Sequence, residues 1–189
     1  RETLGGLLAT AASSPLRHGY GGLRDYCIGI RFVTGDGRIA KGGGRVVKNV
    51  AGYDLMKLLI GSYGTLGVIV GANFKVFPRP RQTATFACDF ASAGEAVAFR
   101  DRLLRSPLTP LCLEIASPSA QEYLREALPA RDVDHVQPQA PVKLDAGAWR
   151  VLVRAAGSDA VLARYRRELA SAVSQELTGG GEAGLWRSL

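Results

Sequence analysis

The sequence predicts an α+β fold divided into two domains. Residues 1–80 carry 16 of the 23 glycines between short apolar runs, which is typical of strands joined by tight turns. After Pro80, strand-like and helix-like runs alternate. Pro78 and Pro80 separate the two patterns, because proline continues neither a strand ladder nor a helix. We therefore predict one domain over 1–80 and a smaller α+β domain over 81–189, which need not be complete.

In the first domain, the run from Tyr26 onward predicts a β-hairpin. Apolar Ile28, Ile30 and Phe32 alternate along its first strand, and a Gly-Asp-Gly turn follows. Asp-Gly supplies the positive φ that a tight hairpin turn requires. The return strand is expected to end at Val46 and Val47.

A helix and a long strand are predicted after the hairpin. Leu55, Leu58 and Leu59 recur at helical spacing, and Gly61 stands where a helix would stop. Residues 64–77 then form a β-branched, strand-like run. Glycine nevertheless interrupts this apolar segment repeatedly.

The second domain predicts a split βαβ, ferredoxin-like arrangement whose half-buried sheet is covered on one face by helices. A capping box marks one helix start, with Ser92 as the cap and Glu95 three residues later. The predicted elements, in chain order, are a strand at 83–90, a helix at 92–106, a strand at 109–117, a helix at 117–128 with Pro118 in its first turn, a loop at 130–147, a strand at 148–157 and a long helix at 158–177 with apolar Val161, Leu162, Tyr165, Leu169 and Val173.

The positive charge is unevenly distributed. Residues 1–80 hold 11 Lys or Arg against 4 Asp or Glu, whereas residues 81–189 are balanced at 13 each, so the first domain carries the whole net charge of +7. Positive charge and backbone permissiveness together suit a phosphate-bearing ligand. A glycine-rich sheet with a solvated basic face would look similar, and both interpretations stay open. Nucleic-acid binding is disfavoured, because no aromatic residues are interleaved with the basic ones.

Cysteine usage and hydropathy suggest a cytoplasmic protein. Cys27, Cys88 and Cys112 match neither a CxxC pair nor a metal-ligand spacing, so we expect buried thiols in a reducing compartment and no metal site. No apolar run approaches the ~20 residues that cross a bilayer, and no basic-then-apolar leader is visible. The chain starts at Arg1, directly before a dense motif, which predicts a piece of a longer chain.

Two small-residue stretches are candidate ligand sites. From Thr3 to Ser14 the side chains are small and several carry hydroxyls, so a ligand is able to approach the backbone closely. A tightly packed helix or turn would explain the same residues. Gly61, Gly64 and Gly67 match neither the GxGxxG fingerprint nor a P-loop. They fit a turn whose exposed main-chain groups can bond the edge of a flat ring.

These motifs carry a resemblance. Residues 2–80, and above all VVKNVAGYDLMKLLIGSYGTLGVI, resemble the second FAD-binding subdomain of the vanillyl-alcohol-oxidase, or PCMH-type, flavoproteins. Within that family they are most similar to the FAD-binding subunits of glycolate oxidases. Residues after Pro80 resemble the cap domain of those subunits in layout only. The family's first FAD subdomain lies upstream of the matching region.

The resemblance implies a set of FAD-binding residues. A Thr-x-Gly-Gly turn lies against the flavin and its diphosphate, small residues after it line the same cleft, a glycine and a basic residue precede the hairpin, and the last strand contacts the adenine end through its backbone. A Lys-Asn-x-x-Gly-Tyr-Asp signature completes the motif without an assigned contact. In the order of these features, the residues are Thr3, Gly5, Gly6, Thr10, Ser13, Gly19, Arg24, Gly67, Val68, Ile69, Lys48, Asn49, Tyr53 and Asp54.

The function implied is that of a FAD-binding subunit of a glycolate, or 2-hydroxy acid, oxidase or dehydrogenase. Its flavin would accept a hydride and pass electrons on, in complex with a catalytic flavoprotein subunit and an iron-sulfur subunit, cytoplasmic or peripheral at the inner membrane through that complex. No catalytic residue is assigned, because His18 and His135 lie alone in loops, and residues 1–189 by themselves are expected to be inactive. A stand-alone D-lactate-type dehydrogenase and a self-associating structural subunit without flavin are the alternatives.

Overall fold

The structure is a computed structural model, and it describes residues 3–45, 53–127 and 147–188. The chain divides into two compact units, Arg1–Pro78 and Arg79–Leu189. The assignment of a flavin-binding domain to the first unit and a cap to the second stays a prediction.

Unit 1 is a three-stranded antiparallel sheet with short helices. The strand order is β2-β1-β3, so β1 lies in the centre and pairs with both neighbours. The elements are α1 (Leu4–Thr10), α2 (Arg17–Tyr20), α3 (Leu23–Tyr26), β1 (Cys27–Val33), β2 (Ile39–Gly43), α4 (Leu55–Leu59) and β3 (Val68–Phe74).

The predicted hairpin is confirmed. Val33 pairs with Ile39, and the turn is closed by a hydrogen bond from the Thr34 N–H to the Arg38 carbonyl at 2.9 Å. Gly37 supplies the positive φ, at +80°. β2 ends at Gly43, and the predicted last residues of the return strand, 46–47, lie outside the described residues.

The predicted helix after the hairpin is also confirmed. Asp54 caps α4 by accepting a hydrogen bond from the Lys57 N–H at 3.1 Å, and Gly61 follows the helix with a φ of +85°. Leu59 is buried, but Leu58 is exposed. The following strand is shorter than predicted, because Gly64 and Gly67 at positive φ keep residues 64–67 in turn conformation before Val68.

One face of the unit 1 sheet is covered by helices. Leu8 of α1 packs with Cys27 and Ile60, while Leu59 of α4 packs with Ile30 and Phe32. Burying each large side chain of this kind contributes about 1.5–3 kcal/mol. Because neighbouring strand residues point to opposite faces, Arg31 lies on the face that these helices leave open.

Unit 2 is a four-stranded antiparallel sheet with the order β5-β6-β4-β7. This order, with helices between the strands, confirms the predicted split βαβ arrangement. The elements are β4 (Gln82–Phe90), α5 (Ala93–Leu104), β5 (Cys112–Ala116), α6 (Pro118–Ala127), β6 (Trp149–Gly157), α7 (Asp159–Leu169), β7 (Val173–Leu177) and α8 (Gly179–Ser188).

The predicted start of α5 is confirmed by its hydrogen bonds. Ser92 Oγ accepts from the Glu95 N–H at 3.2 Å, and the Glu95 carboxylate accepts from the Ala91 N–H at 3.1 Å. α6 begins at Pro118, as predicted. Most of the predicted loop at 130–147 lies outside the described residues.

Two predictions for unit 2 are wrong. The long helix stops at Leu169, and Val173 begins strand β7, which pairs with β4. Val173 stands four residues after Leu169 and fits a helical period, but the tertiary pairing with β4 outweighs that spacing. The sheet is also not covered on one face only. α5 and α7 pack on one face, while Leu185 of α8 packs with Leu152 on the other.

A buried carboxylate anchors α8 to the sheet. Glu182 is 2% exposed and accepts hydrogen bonds from Arg154 Nε at 2.8 Å and Thr85 Oγ1 at 3.1 Å, with Thr83 Oγ1 as a further donor. The Arg154 guanidinium also stacks over the Trp186 ring, 5.6 Å from its centroid. A charge removed from water in this way is stable only when its partners remain in place.

We expect Glu182→Ala to lower the free energy of unfolding by about 3–5 kcal/mol, because the largely buried Arg154 side chain would lose its partner. Urea unfolding followed by circular dichroism measures the change. The matched control is Glu168→Ala. Glu168 accepts from Arg164 Nε at 2.6 Å on the surface, so its loss should cost about 0.5 kcal/mol or less. Equal losses in the two variants would contradict the role given to burial.

A second polar cluster lies at the other end of β6. Arg150 donates from Nε and Nη2 to the two oxygens of Asp89, at 2.6 and 2.7 Å, and Ser174 Oγ donates to the same carboxylate. Burial raises the pKa of Asp89, but the bonds from Arg150 and Ser174 outweigh burial and leave that pKa below its ordinary value of 3.8.

A depressed folded-state pKa makes Asp89 a source of acid sensitivity. Its contribution to stability is fully present above pH 3.8 and is lost as the pH falls through the lower folded-state pKa. We expect Asp89→Asn to be less stable than the wild type at neutral pH and to lose less stability on acidification below about pH 4. Unfolding midpoints in urea at several pH values test this, and parallel pH profiles would contradict it.

The three cysteines are free and buried, as predicted. Burial raises the pKa of the Cys27 thiol, that of Cys88 to about 12 and that of Cys112 to about 11. All three thiols are therefore protonated at neutral pH and weakly nucleophilic. In the part of the chain that the structure describes, no helix is long and apolar enough to cross a membrane.

Candidate functional site

Helix α1 and its N-cap residue Thr3 account for four of the predicted site residues. The Thr3 hydroxyl accepts a hydrogen bond from the Gly6 N–H at 3.0 Å, and the Thr10 hydroxyl donates to the Gly6 carbonyl at 2.9 Å. Both hydroxyls are thus oriented by the helix backbone. The Thr3 hydrogen stays available to donate, and the Thr10 oxygen stays available to accept. Residues 4–10 are helical, and their outer face, including Gly6, is exposed.

Gly5 places α1 directly on strand β3. A Cβ atom at this position would lie 3.2 Å from the Ile69 carbonyl oxygen, so a larger residue would push the helix away from the strand. This contact brings Gly5 beside Ile69. Two segments more than sixty residues apart therefore form one surface.

The other end of α1 is joined to the loop after α4. The Gly61 N–H donates to the Leu8 carbonyl at 3.0 Å, and the Tyr63 N–H donates to the Ala9 carbonyl at 2.8 Å. Arg24 Nη2 donates to the Ile60 carbonyl at 3.0 Å, which holds the same loop from α3. Arg24 therefore has a structural contact in addition to its predicted place near the ligand.

Gly67 fixes the start of β3. Its φ is +150°, and a Cβ there would lie 2.6 Å from the Val33 carbonyl oxygen. The next two residues join the sheet, with Val68 paired to Val33 and Ile69 paired to Phe32. Val68 is 65% exposed, whereas Ile69 is half-buried under α1.

The remaining predicted residues lie in other places. Ser13 follows α1, and Gly19 lies on α2; both are exposed. Tyr53 is 92% exposed. Asp54 is the α4 cap and pairs with Lys57 Nζ at 2.9 Å, and the hydrogen bond from Lys57 lowers its pKa. Residues 48–49 lie outside the described residues.

Sequence reasoning missed an apolar border around these residues. Leu4, Tyr63 and Val68 are 68%, 73% and 65% exposed, and each is next in the chain to a glycine of α1, of the loop after α4 or of the start of β3. We call the exposed outer faces of residues 3–10, 61–67 and 68–69 the α1–β3 surface. The sequence signal that could have revealed them is an apolar residue directly next to a glycine. Open backbone, hydroxyls and apolar side chains together suit a planar ring with polar edges, so the residues present fit a flavin cofactor.

Comparison with known proteins finds relatives among glycolate oxidase subunits and D-lactate dehydrogenases. It is 49% identical over 79 residues to glycolate oxidase subunit GlcE of Escherichia coli. It is 38% identical over 120 residues to a D-lactate dehydrogenase of Archaeoglobus fulgidus and 33% identical over 114 residues to glycolate oxidase subunit GlcD of Bacillus subtilis. These matches cover 42%, 64% and 58% of this chain.

Comparison with solved structures finds proteins of similar fold. Two solved structures of alkyldihydroxyacetonephosphate synthase superpose with TM-scores of 0.65 and 0.66 over 96% and 98% of this chain, which is 36% and 35% of theirs. At 21% and 20% identity these similarities concern the fold. No protein-family model matches the chain.

The chain is thus related to the PCMH-type FAD-binding oxidoreductases, as the sequence predicted. Within that class its relatives include glycolate oxidase subunits and D-lactate dehydrogenases. The chain spans 23–27% of the length of these three relatives. The assignment of individual residues to FAD stays a prediction.

Close packing at Gly67 predicts that a side chain there destabilises the fold. We expect Gly67→Ala to lower the free energy of unfolding by about 2–4 kcal/mol, because the new methyl group meets the Val33 carbonyl and the backbone conformation is strained. Urea unfolding measures it. Gly64→Ala has open space but a φ of +77°, so about 1–2 kcal/mol is expected.

The control for both is Gly35→Ala, in the hairpin turn. A Cβ there meets nothing within 4 Å, and its φ lies outside the positive range that strains a side chain. We expect a change of about 0.5 kcal/mol or less. If all three variants were equally stable, the clash expected between a side chain at residue 67 and the Val33 carbonyl would be contradicted.

Proposed function

We propose that this chain supplies part of the FAD site of an oxidoreductase that acts on a 2-hydroxy acid, as the FAD-binding subunit of a glycolate oxidase complex. The observation that carries the proposal is the α1–β3 surface, where glycine backbone, oriented hydroxyls and exposed apolar side chains meet. The relationship to glycolate oxidase subunits and D-lactate dehydrogenases supports it, because glycolate and D-lactate are both 2-hydroxy acids.

The residues of this surface have distinct roles in the proposal. Gly6 leaves backbone open to a flat ring, the Thr3 hydroxyl donates to an oxygen of the cofactor, and the Thr10 oxygen accepts from a ring N–H. Leu4 and Val68 exclude water from the edges of the site. When bound, FAD supplies the redox chemistry, accepting a hydride and passing electrons on.

The place of the chain in a complex belongs to the same proposal. Relatives named as subunits GlcE and GlcD support a partner of the catalytic flavoprotein kind. The iron-sulfur partner, self-association and the cytoplasmic or membrane-peripheral location stay predictions. A D-lactate-type dehydrogenase is the second candidate, favoured by the longer match of 120 residues. The two candidates are distinguished by which 2-hydroxy acid, glycolate or D-lactate, reduces the flavin.

The flavin site is tested by a substitution that covers the open backbone at Gly6. A Cβ at Gly6 comes close only to Thr3 Oγ1, at 3.2 Å, so Gly6→Leu should fold while its side chain covers the open backbone. We expect it to weaken FAD binding at least about tenfold, which corresponds to about 1.4 kcal/mol. Binding is measured by flavin fluorescence quenching and by the visible absorbance retained after gel filtration.

The matched control is Gly35→Leu, which adds the same side chain at an exposed glycine in the hairpin turn. It should bind FAD like the wild type. Equal affinities for all three proteins would contradict the α1–β3 surface as the site. A wild-type chain that retains no FAD would favour the alternative of a structural subunit without flavin.

A further inference from the structure

The open face of the unit 1 sheet holds a cleft of about 320 Å³. Its lining consists of two arginines, one asparagine and small or apolar residues of β1 and β3, namely Gly29, Ile30, Arg31, Arg45, Gly71, Ala72 and Asn73. Arg31 points away from Ile30 and Phe32, which pack under α4. The cleft therefore lies on the face of the sheet opposite α4.

The glycines give this cleft its shape. A Cβ at Gly71 would lie 3.2 Å from Arg31 Nε, so the absence of a side chain lets the arginine lie across β3. A Cβ at Gly29 would lie 2.8 Å from Asn73 Nδ2 and equally close to the Gly44 carbonyl. Asn73 is therefore able to reach that carbonyl, at 3.5 Å. Cross-strand packing thus positions the donors along the cleft.

The charged residues that line the cleft, Arg31 and Arg45, are both positive. Arg31 and Lys41 stand directly opposite each other on neighbouring strands, where like charges destabilise a sheet. Among the described residues, no carboxylate forms an ion pair with Arg31, Lys41 or Arg45.

By contrast, the arginine at the hairpin turn has its own partner. Arg38 forms an ion pair with Asp36, although its side chain is 85% exposed. The uncompensated charge is thus concentrated where the glycines open the sheet. An anion in the cleft would relieve the repulsion between Arg31 and Lys41 and would accept paired hydrogen bonds from two guanidinium groups.

We propose that this cleft is a second ligand site, which binds a small dianion through Arg31, Arg45 and Asn73. The ligand class is a phosphate ester or a dicarboxylate, since both present two anionic oxygens to paired guanidinium groups. The site is separate from the α1–β3 surface and does not depend on the proposed flavin function.

Isothermal titration calorimetry on the 189-residue chain without flavin tests the proposal, with inorganic pyrophosphate and malonate as probes. We expect one saturable site for at least one probe, weakened at least about tenfold by Arg31→Gln and by Arg45→Gln. The control Arg38→Gln removes the same charge from the same hairpin outside the cleft, and it should change the affinity less than about twofold. The tighter probe identifies phosphate or carboxylate as the natural group.

Three calorimetric results would overturn the site. One is that neither pyrophosphate nor malonate binds. Another is an equal loss in Arg38→Gln, which would indicate general attraction to a chain of charge +7. The third is displacement of the probe by FAD, because the cleft would then belong to the flavin site. Amide chemical shifts of Gly29 and Gly71 in the wild type give a readout that does not depend on any variant folding, and unchanged shifts at saturation would also contradict the site.

Discussion

The arrangement of unit 1 depends on the close approach of backbone to backbone around α1. Gly5 lies against the Ile69 carbonyl, Gly67 lies against the Val33 carbonyl, and Gly61 donates to α1 from the loop after α4. Side chains would hold these segments apart. Because three distant segments meet without intervening side chains, their hydroxyls and main-chain groups form a continuous exposed surface. The glycines that weaken the local helix and strand are compensated by this packing.

The two faces of the unit 1 sheet have different chemistry. Leu8, Leu59 and Ile60 bury one face and supply the stabilisation that glycine-rich segments lack. The other face carries Arg31 and Lys41 as neighbours. Folding requires that one face of this sheet is buried, whereas the second face is exposed in the described residues. Part of the excess positive charge of residues 1–80 lies on that second face.

Unit 2 uses charge in a different way. The ion pairs of Glu182 with Arg154 and of Asp89 with Arg150 each join a buried partner to a partly buried one, with several hydrogen bonds in each pair. They lie in the packed interior of the sheet and its last helix, so we interpret them as structural elements that specify where α8 and β7 dock. The buried thiols, protonated at neutral pH, likewise contribute packing and not reactivity.

The sequence by itself determined the elements whose signals are local. The Asp-Gly turn, the Ser92 cap and the stop at Gly61 depend on residues within a few positions of one another. The resemblance of residues 2–80 to PCMH-type flavoproteins also pointed to the relatives that the comparisons found. Only the tertiary structure decided that Val173 begins a strand, because its partner on β4 is distant in sequence. It alone also placed α8 on the second face of its sheet. Such contacts join residues far apart in the chain, and no local periodicity encodes them.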